Sequence, residues 1–364
     1  MQRFETWVAS SFLAFLAAVA STGTAAAQTA PTPDEIMQAW LASPHADGSA
    51  EAFKHWDGEG EVPGDCAVCH STTGFAEYVA APPAEAGMID HPVPIGTKVE
   101  CGACHAPGVK TLESVLFPSG ETVAGMGSST ACLVCHQGRA STDQVGQALA
   151  GLDDDEVSAE LSFINSHYAA AAATLMGSVA RGGYQYEGRD YAGQFMHVKD
   201  LNSCTSCHDP HTTEVKLESC VTCHKGAEDF RAIRTTPADI LGTGETSAGI
   251  STVIDALHGR LMAAMLTYSV EVTGKPVAYS DAAYPYFFND LDGDGLAGAD
   301  EAVFPNRYQS WTPRLLRAAY NYQYVAKDHG AFAHNAHYAI QLLYDSIESL
   351  AEVADVDMTG LVRP

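Results

Sequence analysis

Helical spacing of apolar residues is clearest in the last third of the chain. Three segments there predict α-helices: residues 252–269, 313–327 and 336–354. In the last of them, Leu343, Ile347 and Leu350 recur at the spacing of one helix face. We therefore expect residues 232–364 to form an α-helical region that packs as a cover against the rest of the chain.

The middle of the chain has a different pattern, in which glycine and proline separate short apolar runs. An alanine-rich run that opens at His167 predicts one further helix, and residues 182–193 alternate aromatic and polar side chains around Glu187 and Gly188, which predicts a single small β-hairpin. Elsewhere in residues 28–231 we expect short helices and long irregular connections. The predicted fold class is mainly α with much irregular structure.

The first 27 residues have the pattern of a secretory signal peptide. Arg3 precedes an apolar run at residues 8–20, and small residues ending in Ala25, Ala26 and Ala27 follow it. The alternative is a membrane anchor, but about thirteen apolar residues are too few to span a bilayer. The mature protein is therefore expected to have no membrane span and to be exported to the periplasm or beyond.

The chain is strongly acidic, with a formal net charge of −26 over 364 residues. A nucleic-acid-binding protein needs a basic surface to neutralise phosphates, so this charge excludes that class. An acidic surface keeps a secreted protein soluble, and it also attracts basic redox partners. Charge alone leaves these two roles open.

All ten cysteines occur in the pentad Cys-x-x-Cys-His, which is present five times. This pentad attaches c-type haem: two thiols about one helical turn apart form thioethers to the vinyl groups of one porphyrin, and the adjacent histidine reaches the iron. Zinc ligation and thioredoxin-like chemistry also use Cys-x-x-Cys, but neither requires a histidine after every second cysteine. The five predicted covalent haem sites are Cys66, Cys69 and His70; Cys101, Cys104 and His105; Cys132, Cys135 and His136; Cys204, Cys207 and His208; and Cys220, Cys223 and His224.

Five haems would also determine how the core is built. Each porphyrin is a large apolar disc, so haem faces are expected to replace side chains in much of a haem-packed core. The eleven residues between His208 and Cys220 require the last two haems to be neighbours.

Ten histidines lie outside the pentads, enough to give every iron a second axial ligand. Sequence context favours five of them as distal ligands, because they lie beside prolines, before pentads or at predicted helix ends: His45, His91, His167, His211 and His334. His55 and His197 form a second rank of candidates. Asn335, directly after His334, is expected to cap the helix that follows.

Residues 290–301 match the calcium-loop pattern D-x-D-x-D-G-x₅-E. Its predicted ligands are Asp290, Asp292, Asp294, the Leu296 carbonyl and Glu301, which converge on one hard cation. The alternative is an acidic solvated turn. Prolines near both ends break the helices of a full EF-hand, so a bound calcium would clamp the loop and not act as a sensor.

The segment GAFAHN with its following helix, together with the upstream pentads, resembles the nitrite reductase and hydroxylamine oxidoreductase superfamily of multihaem cytochromes. In that superfamily a histidine at a similar junction ligates a haem, which implies the same role for His334. The best-known nitrite reductases have lysine in one pentad in place of histidine, whereas all five pentads here end in histidine.

Two functions follow from these patterns. The favoured one is electron transfer between redox partner proteins outside the cytoplasm, through five haems with two histidine ligands each. The alternative is a haem oxidoreductase that binds a small nitrogen or sulfur oxyanion at one open haem, assisted by Arg181, Arg189 or Arg314. The sequence leaves open whether the protein assembles into an oligomer or a longer extracellular haem chain.

Overall fold

The computed structural model describes residues 30–81, 85–199 and 201–364, and the predicted signal peptide lies outside these ranges. Helices occupy α1 (Pro33–Leu41), α2 (Glu51–Lys54), α3 (Gly64–His70), α4 (Thr72–Ala80), α5 (Cys101–His105), α6 (Thr130–Cys135), α7 (Thr142–Leu149), α8 (Ala171–Met176), α9 (Cys204–Cys207), α10 (Leu217–Val221), α11 (Ile250–Tyr268), α12 (Pro313–Lys327), α13 (Ala331–His334) and α14 (Ala336–Ala351). Strands occupy β1 (Glu61–Val62), β2 (Val93–Pro94), β3 (Ser114–Leu116), β4 (Thr122–Ala124), β5 (Val277–Tyr279) and β6 (Phe287–Asn289).

The three long C-terminal helices lie where the apolar pattern places them. The hydroxyl of Thr312 accepts a hydrogen bond from the Leu315 N–H at the start of α12, and the Asn335 side chain accepts one from the Tyr338 N–H at the start of α14, as predicted. The helices α11, α12 and α14 pack against one another. Each fully buried leucine or isoleucine between them stabilises the fold by about 2 kcal/mol.

One buried hydrophobic cluster joins both parts of the chain. It includes Val68 and Leu133 from pentad helices α3 and α6 as well as Leu257 and Leu343 from α11 and α14. The C-terminal helices therefore contact the pentad region directly, and they provide a rigid base for the segments that lie on them.

The described strands form three antiparallel pairs, β1 with β2, β3 with β4, and β5 with β6. The prediction of a β-hairpin at residues 182–193 is wrong, because that tract contains no strand. Its backbone N–H groups donate to side chains instead: Tyr184 to Asn321 Oδ1 and Ala192 to Gln341 Oε1. The tract is thus held by α12 and α14 and not by a partner strand, so its alternating pattern reflects packing on helices.

Within the described ranges, none of the helices combines the length and apolarity that crossing a bilayer would require.

Candidate haem-binding sites

Each pentad begins on a short helix of one or two turns, α3, α5, α6, α9 or α10. Residues three apart on a helix share a face, so both cysteines of the pentads on α3, α5, α6 and α9 lie on the same side of their helix, whereas Cys223 of the fifth pentad follows the end of α10. None of the ten cysteines forms a disulfide in the structure. All ten thiols are therefore free in the structure.

Every pentad histidine has a second histidine across from it. The separations between ring centroids are 5.8 Å for His70 and His167, 6.5 Å for His105 and His211, 6.4 Å for His136 and His45, 6.4 Å for His208 and His334, and 6.0 Å for His224 and His197. Ten of the fifteen histidines are thus grouped into five pairs, each with one member from a pentad.

The spacing within these pairs fits a metal ion between two imidazoles. A histidine nitrogen binds a first-row metal at about 2 Å and lies roughly 1 Å from its own ring centre, which places two opposed ring centres about 6 Å apart. The observed range of 5.8–6.5 Å agrees with that value. Direct stacking of two rings would bring them closer, as for His258 on Tyr322 at 3.8 Å.

Hydrogen bonds on the outer side of several rings fix their orientation. The Nδ1 atom of His70 donates to the Ala52 carbonyl, and that of His136 to the Ala169 carbonyl. In the same way His208 Nδ1 donates to the Thr213 carbonyl. A proton held at Nδ1 leaves Nε2 unprotonated and free to ligate a metal.

Burial keeps several of these imidazoles neutral. Desolvation, with the nearby His70, lowers the pKa of His167 to about 4. Desolvation also lowers the pKa of His45, which faces His136. Since only the neutral imidazole binds a metal, both rings are in the ligating form at neutral pH without first losing a proton.

His334 differs from the other paired histidines, because a carboxylate fixes it. Its Nδ1 lies 2.8 Å from Oδ1 and 2.9 Å from Oδ2 of the buried Asp328. Burial alone would lower the pKa of His334, but the charge and hydrogen bond of Asp328 outweigh it, so the pKa is raised. The sequence did not predict a role for Asp328. The only signal for it was the presence of an acidic residue six positions before the candidate ligand His334.

The predicted helix from His167 begins later than expected, at Ala171. His167 and Ala169 instead have left-handed backbone conformations with φ of 70° and 51°. The His167 N–H donates to Asn165 Oδ1, and the Ala169 N–H donates to the Lys327 carbonyl. Such backbone strain in residues other than glycine is common at functional sites, and here it directs the His167 ring toward His70.

His91 and His55, two of the predicted candidates, form no ring pair with a pentad histidine among the described residues. The ring of His91 is about half exposed and forms ion pairs with Glu77 and Asp90. His55 is exposed and pairs with Glu51 on α2. The geometry therefore groups the second-ranked His197 with a pentad histidine, whereas the first-ranked His91 is bound to carboxylates.

The pentads also contact one another, and the third lies at the centre. The Cys69 thiol contacts the Val134 carbonyl at 3.9 Å and the Cys135 thiol contacts the Val68 carbonyl at 3.8 Å, so α3 and α6 pack reciprocally. A hydrogen bond with the Cys132 thiol lowers the pKa of Cys204 to about 6. The first and fourth pentads thus both touch the third.

The arginines considered for an oxyanion site are already paired. Arg181 binds Asp143 at 3.0 Å, and Arg189 binds Glu348. Arg314 is almost fully buried and binds Asp155. These contacts give all three arginines a structural role.

Three aspartates of the acidic loop are clustered in the structure. One carboxylate oxygen from each of Asp290, Asp292 and Asp294 lies within 4.8 Å of the others. Glu301 is buried, and its two oxygens accept hydrogen bonds from the Leu291 and Gly298 N–H groups. The loop is thereby closed at both ends around a concentration of negative charge.

The backbone of the loop completes this arrangement. Gly295 has φ of +78°, the left-handed conformation that the sharp turn needs. Tyr279 of β5 bonds on both sides of Leu296, through the Gly295 carbonyl and the Ala297 N–H. The Leu296 carbonyl consequently points away from β5.

The chain is similar to two c-type polyheme cytochromes of Geobacter sulfurreducens. It is 24% identical to OmcB over 87% of this chain and 48% of that protein, and the same values hold in two strains. It is 25% identical to OmcC over 95% of this chain and 49% of that protein. The chain therefore spans about half the length of the curated relatives it matches.

No family model and no solved structure matches the chain. The expected likeness to nitrite reductases therefore stays a prediction. The similarity to OmcB and OmcC extends across nearly all of this chain, including its five pentads, and these relatives are multihaem c-type cytochromes.

Proposed function

We propose that this protein is a multihaem c-type cytochrome that carries electrons between redox partners through five covalently bound haems, each with two axial histidines. The single observation that carries the proposal is the pairing of every pentad histidine with a second histidine at the separation an intervening iron requires. Similarity to polyheme cytochromes supports it independently.

The proposed axial pairs give each iron two imidazoles, which is the coordination of low-spin electron-transfer haems. Such an iron has no open position for a substrate. The electron-transfer role is therefore favoured over nitrite-like reduction, which needs one open iron. The pairs, with the pentad histidine first, are His70 and His167, His105 and His211, His136 and His45, His208 and His334, and His224 and His197.

Contacts of the third and fourth pentads with their neighbours support a relay between the haems attached there. Porphyrins attached at neighbouring sulfurs have their edges close together, which favours rapid electron tunnelling. The third pentad touches the first through Cys135 and the fourth through Cys132. The Lys216 N–H donates to the Cys207 carbonyl and links the fourth pentad to the segment that leads into the fifth. We propose that the third haem is the junction of this relay.

The partners and location also belong to the proposal. An exported chain with a net charge of −26 is suited to brief encounters with basic redox proteins, since long-range attraction raises the rate of association. We place the protein in the periplasm or outside the cell, where haem attached through thioethers is retained.

The proposal is tested by the mass of the intact protein after expression in a host that attaches haem to exported chains. We expect the polypeptide mass plus five haems, with all ten cysteines protected from thiol reagents. Free thiols or disulfides in place of bound haem would contradict the proposal.

We further propose that residues 290–301 bind one calcium ion, with the ligands predicted from the sequence. Three clustered carboxylates and a buried glutamate offer the hard oxygen ligands that calcium prefers. The loop joins β6 to the segment before α12 and bonds to β5 through Tyr279, so the ion would hold these pieces together.

A further inference from the structure

Asp328 is a buried carboxylate whose side chain contacts the ring of a proposed axial histidine, His334. It is the last residue before the turn into α13, is only 4% exposed, and presents both oxygens to one nitrogen, Nδ1 of His334. The Gly330 N–H donates to Asp328 Oδ1 at 3.1 Å, which fixes the carboxylate. The carboxylate and the imidazole are thus held as a preorganised pair.

Gly330 explains how the ring can lie so close to its own backbone. A Cβ at this position would lie 2.5 Å from Cε1 of His334, closer than any side chain tolerates. The His334 ring therefore lies directly over the backbone of residue 330, where a larger residue would displace it. The turn from Asp328 to His334 is built around this one orientation of the imidazole.

The other axial histidines with a visible Nδ1 partner donate to neutral groups. His70, His136 and His208 donate to backbone carbonyls. Among the proposed axial ligands in the described ranges, a carboxylate partner is present only at His334. The adjacent Lys327 does not neutralise it, because its Nζ donates to the Asp281 carbonyl and lies over Tyr168.

A carboxylate partner changes the ligand electronically. A charge-assisted hydrogen bond is roughly twice as strong as a neutral one, and it draws the Nδ1 proton away from the ring. The imidazole then becomes a stronger electron donor at Nε2 and stabilises ferric over ferrous iron. A buried negative charge acts in the same direction, since it favours the more positive oxidation state.

On the basis of the proposed function, we infer that Asp328 is a positioning and tuning residue, which makes the haem between His208 and His334 the lowest in reduction potential of the five. This haem lies between the third and the fifth in the proposed relay. It is therefore the last to be reduced, and it divides the relay into two sections of higher potential.

The test is a redox titration of the haem-loaded protein, with each component followed by its spectrum. In the wild type we expect one haem to titrate below the other four. Asp328→Asn is an isosteric change. It should shift the equilibrium of this haem about tenfold toward ferrous iron, which raises its reduction potential by about 59 mV for one electron. Asp328→Glu, which keeps the carboxylate, should retain most of the low potential.

The matched control is Glu77→Gln, which neutralises one of the two carboxylates bound to His91, a histidine outside the five pairs, and should leave all five potentials unchanged. Unchanged potentials in Asp328→Asn with five haems present would overturn the inference while leaving the proposed function intact. If Asp328→Asn instead loses the haem at His208, the component with the lowest potential should disappear from the titration. Persistence of that component would also overturn the inference. A wild type without bound haem would reject the proposed function itself.

Discussion

Replacing His167 by alanine is expected to convert one haem in five from low-spin to high-spin, because the first iron loses its second imidazole. The His167 ring is half-buried, is turned toward His70 by two left-handed residues, and has its centroid 5.8 Å from that of His70. No nearby histidine replaces it, since His55 is held at Glu51. The ferrous variant should also bind carbon monoxide at that one iron.

The matched control for this change is His91→Ala. Both histidines are first-rank candidates from the sequence, but His91 is half exposed and bound to Glu77 and Asp90. We expect this variant to keep five low-spin haems and to bind no carbon monoxide. A high-spin haem in His91→Ala, or none in His167→Ala, would show that the proposed axial pairs are wrong.

The angle between the two imidazole planes of a pair provides a second observable for this experiment, the shape of the low-spin resonance signal. The planes of His70 and His167 meet at 80°, whereas those of His105 and His211 are nearly parallel at 11°. Perpendicular ligand planes leave the two iron dπ orbitals almost equal in energy, which produces a strongly anisotropic low-spin signal in electron paramagnetic resonance. His167→Ala should therefore remove the most anisotropic signal and leave the rhombic signal of the parallel pair.

Calcium should raise the free energy of unfolding by about 3 kcal/mol when it is present at one hundred times its dissociation constant, because it binds only the folded loop. The carboxylates of the loop repel one another without an ion. The Asp294 N–H lowers the pKa of Asp292, but burial and the neighbouring carboxylates outweigh it and the pKa is raised. Thermal unfolding with calcium and with a chelator would measure the difference.

Two variants separate ion binding from simple charge repulsion. Asp292→Asn removes a predicted ligand and should abolish the stabilisation by calcium. Asp300→Asn makes the same charge change at an exposed position of the loop that supplies no ligand, and should retain it. Equal stability of the wild type with and without calcium would show that the loop is an acidic turn.

The elements that the sequence predicted well are those determined by local patterns. The helices α12 and α14 follow from apolar periodicity, from Pro313 at a helix start and from the capping side chain of Asn335. The pentads are recognised from five consecutive residues each. Both kinds of signal lie within a few residues of the structure they determine.

The features that the sequence did not reveal depend on contacts between distant segments. The sequence context ranked His91 above His197, but in the folded chain the ring centroid of His197 lies 6.0 Å from that of His224 while His91 meets Glu77. The tract at residues 182–193 has a strand-like pattern, but the side chains it bonds to are on helices more than a hundred residues away. Pairing of this kind is a property of the tertiary fold.

The central claim is that every one of five irons is saturated by two histidines. Its most direct test is electron paramagnetic resonance of the oxidised wild-type protein, recorded before and after addition of cyanide and of nitrite. We expect five low-spin ferric haems per chain and no change with either anion. A high-spin component that converts on binding cyanide or nitrite would show an open iron, and would contradict the proposed coordination and with it the pure electron-transfer role.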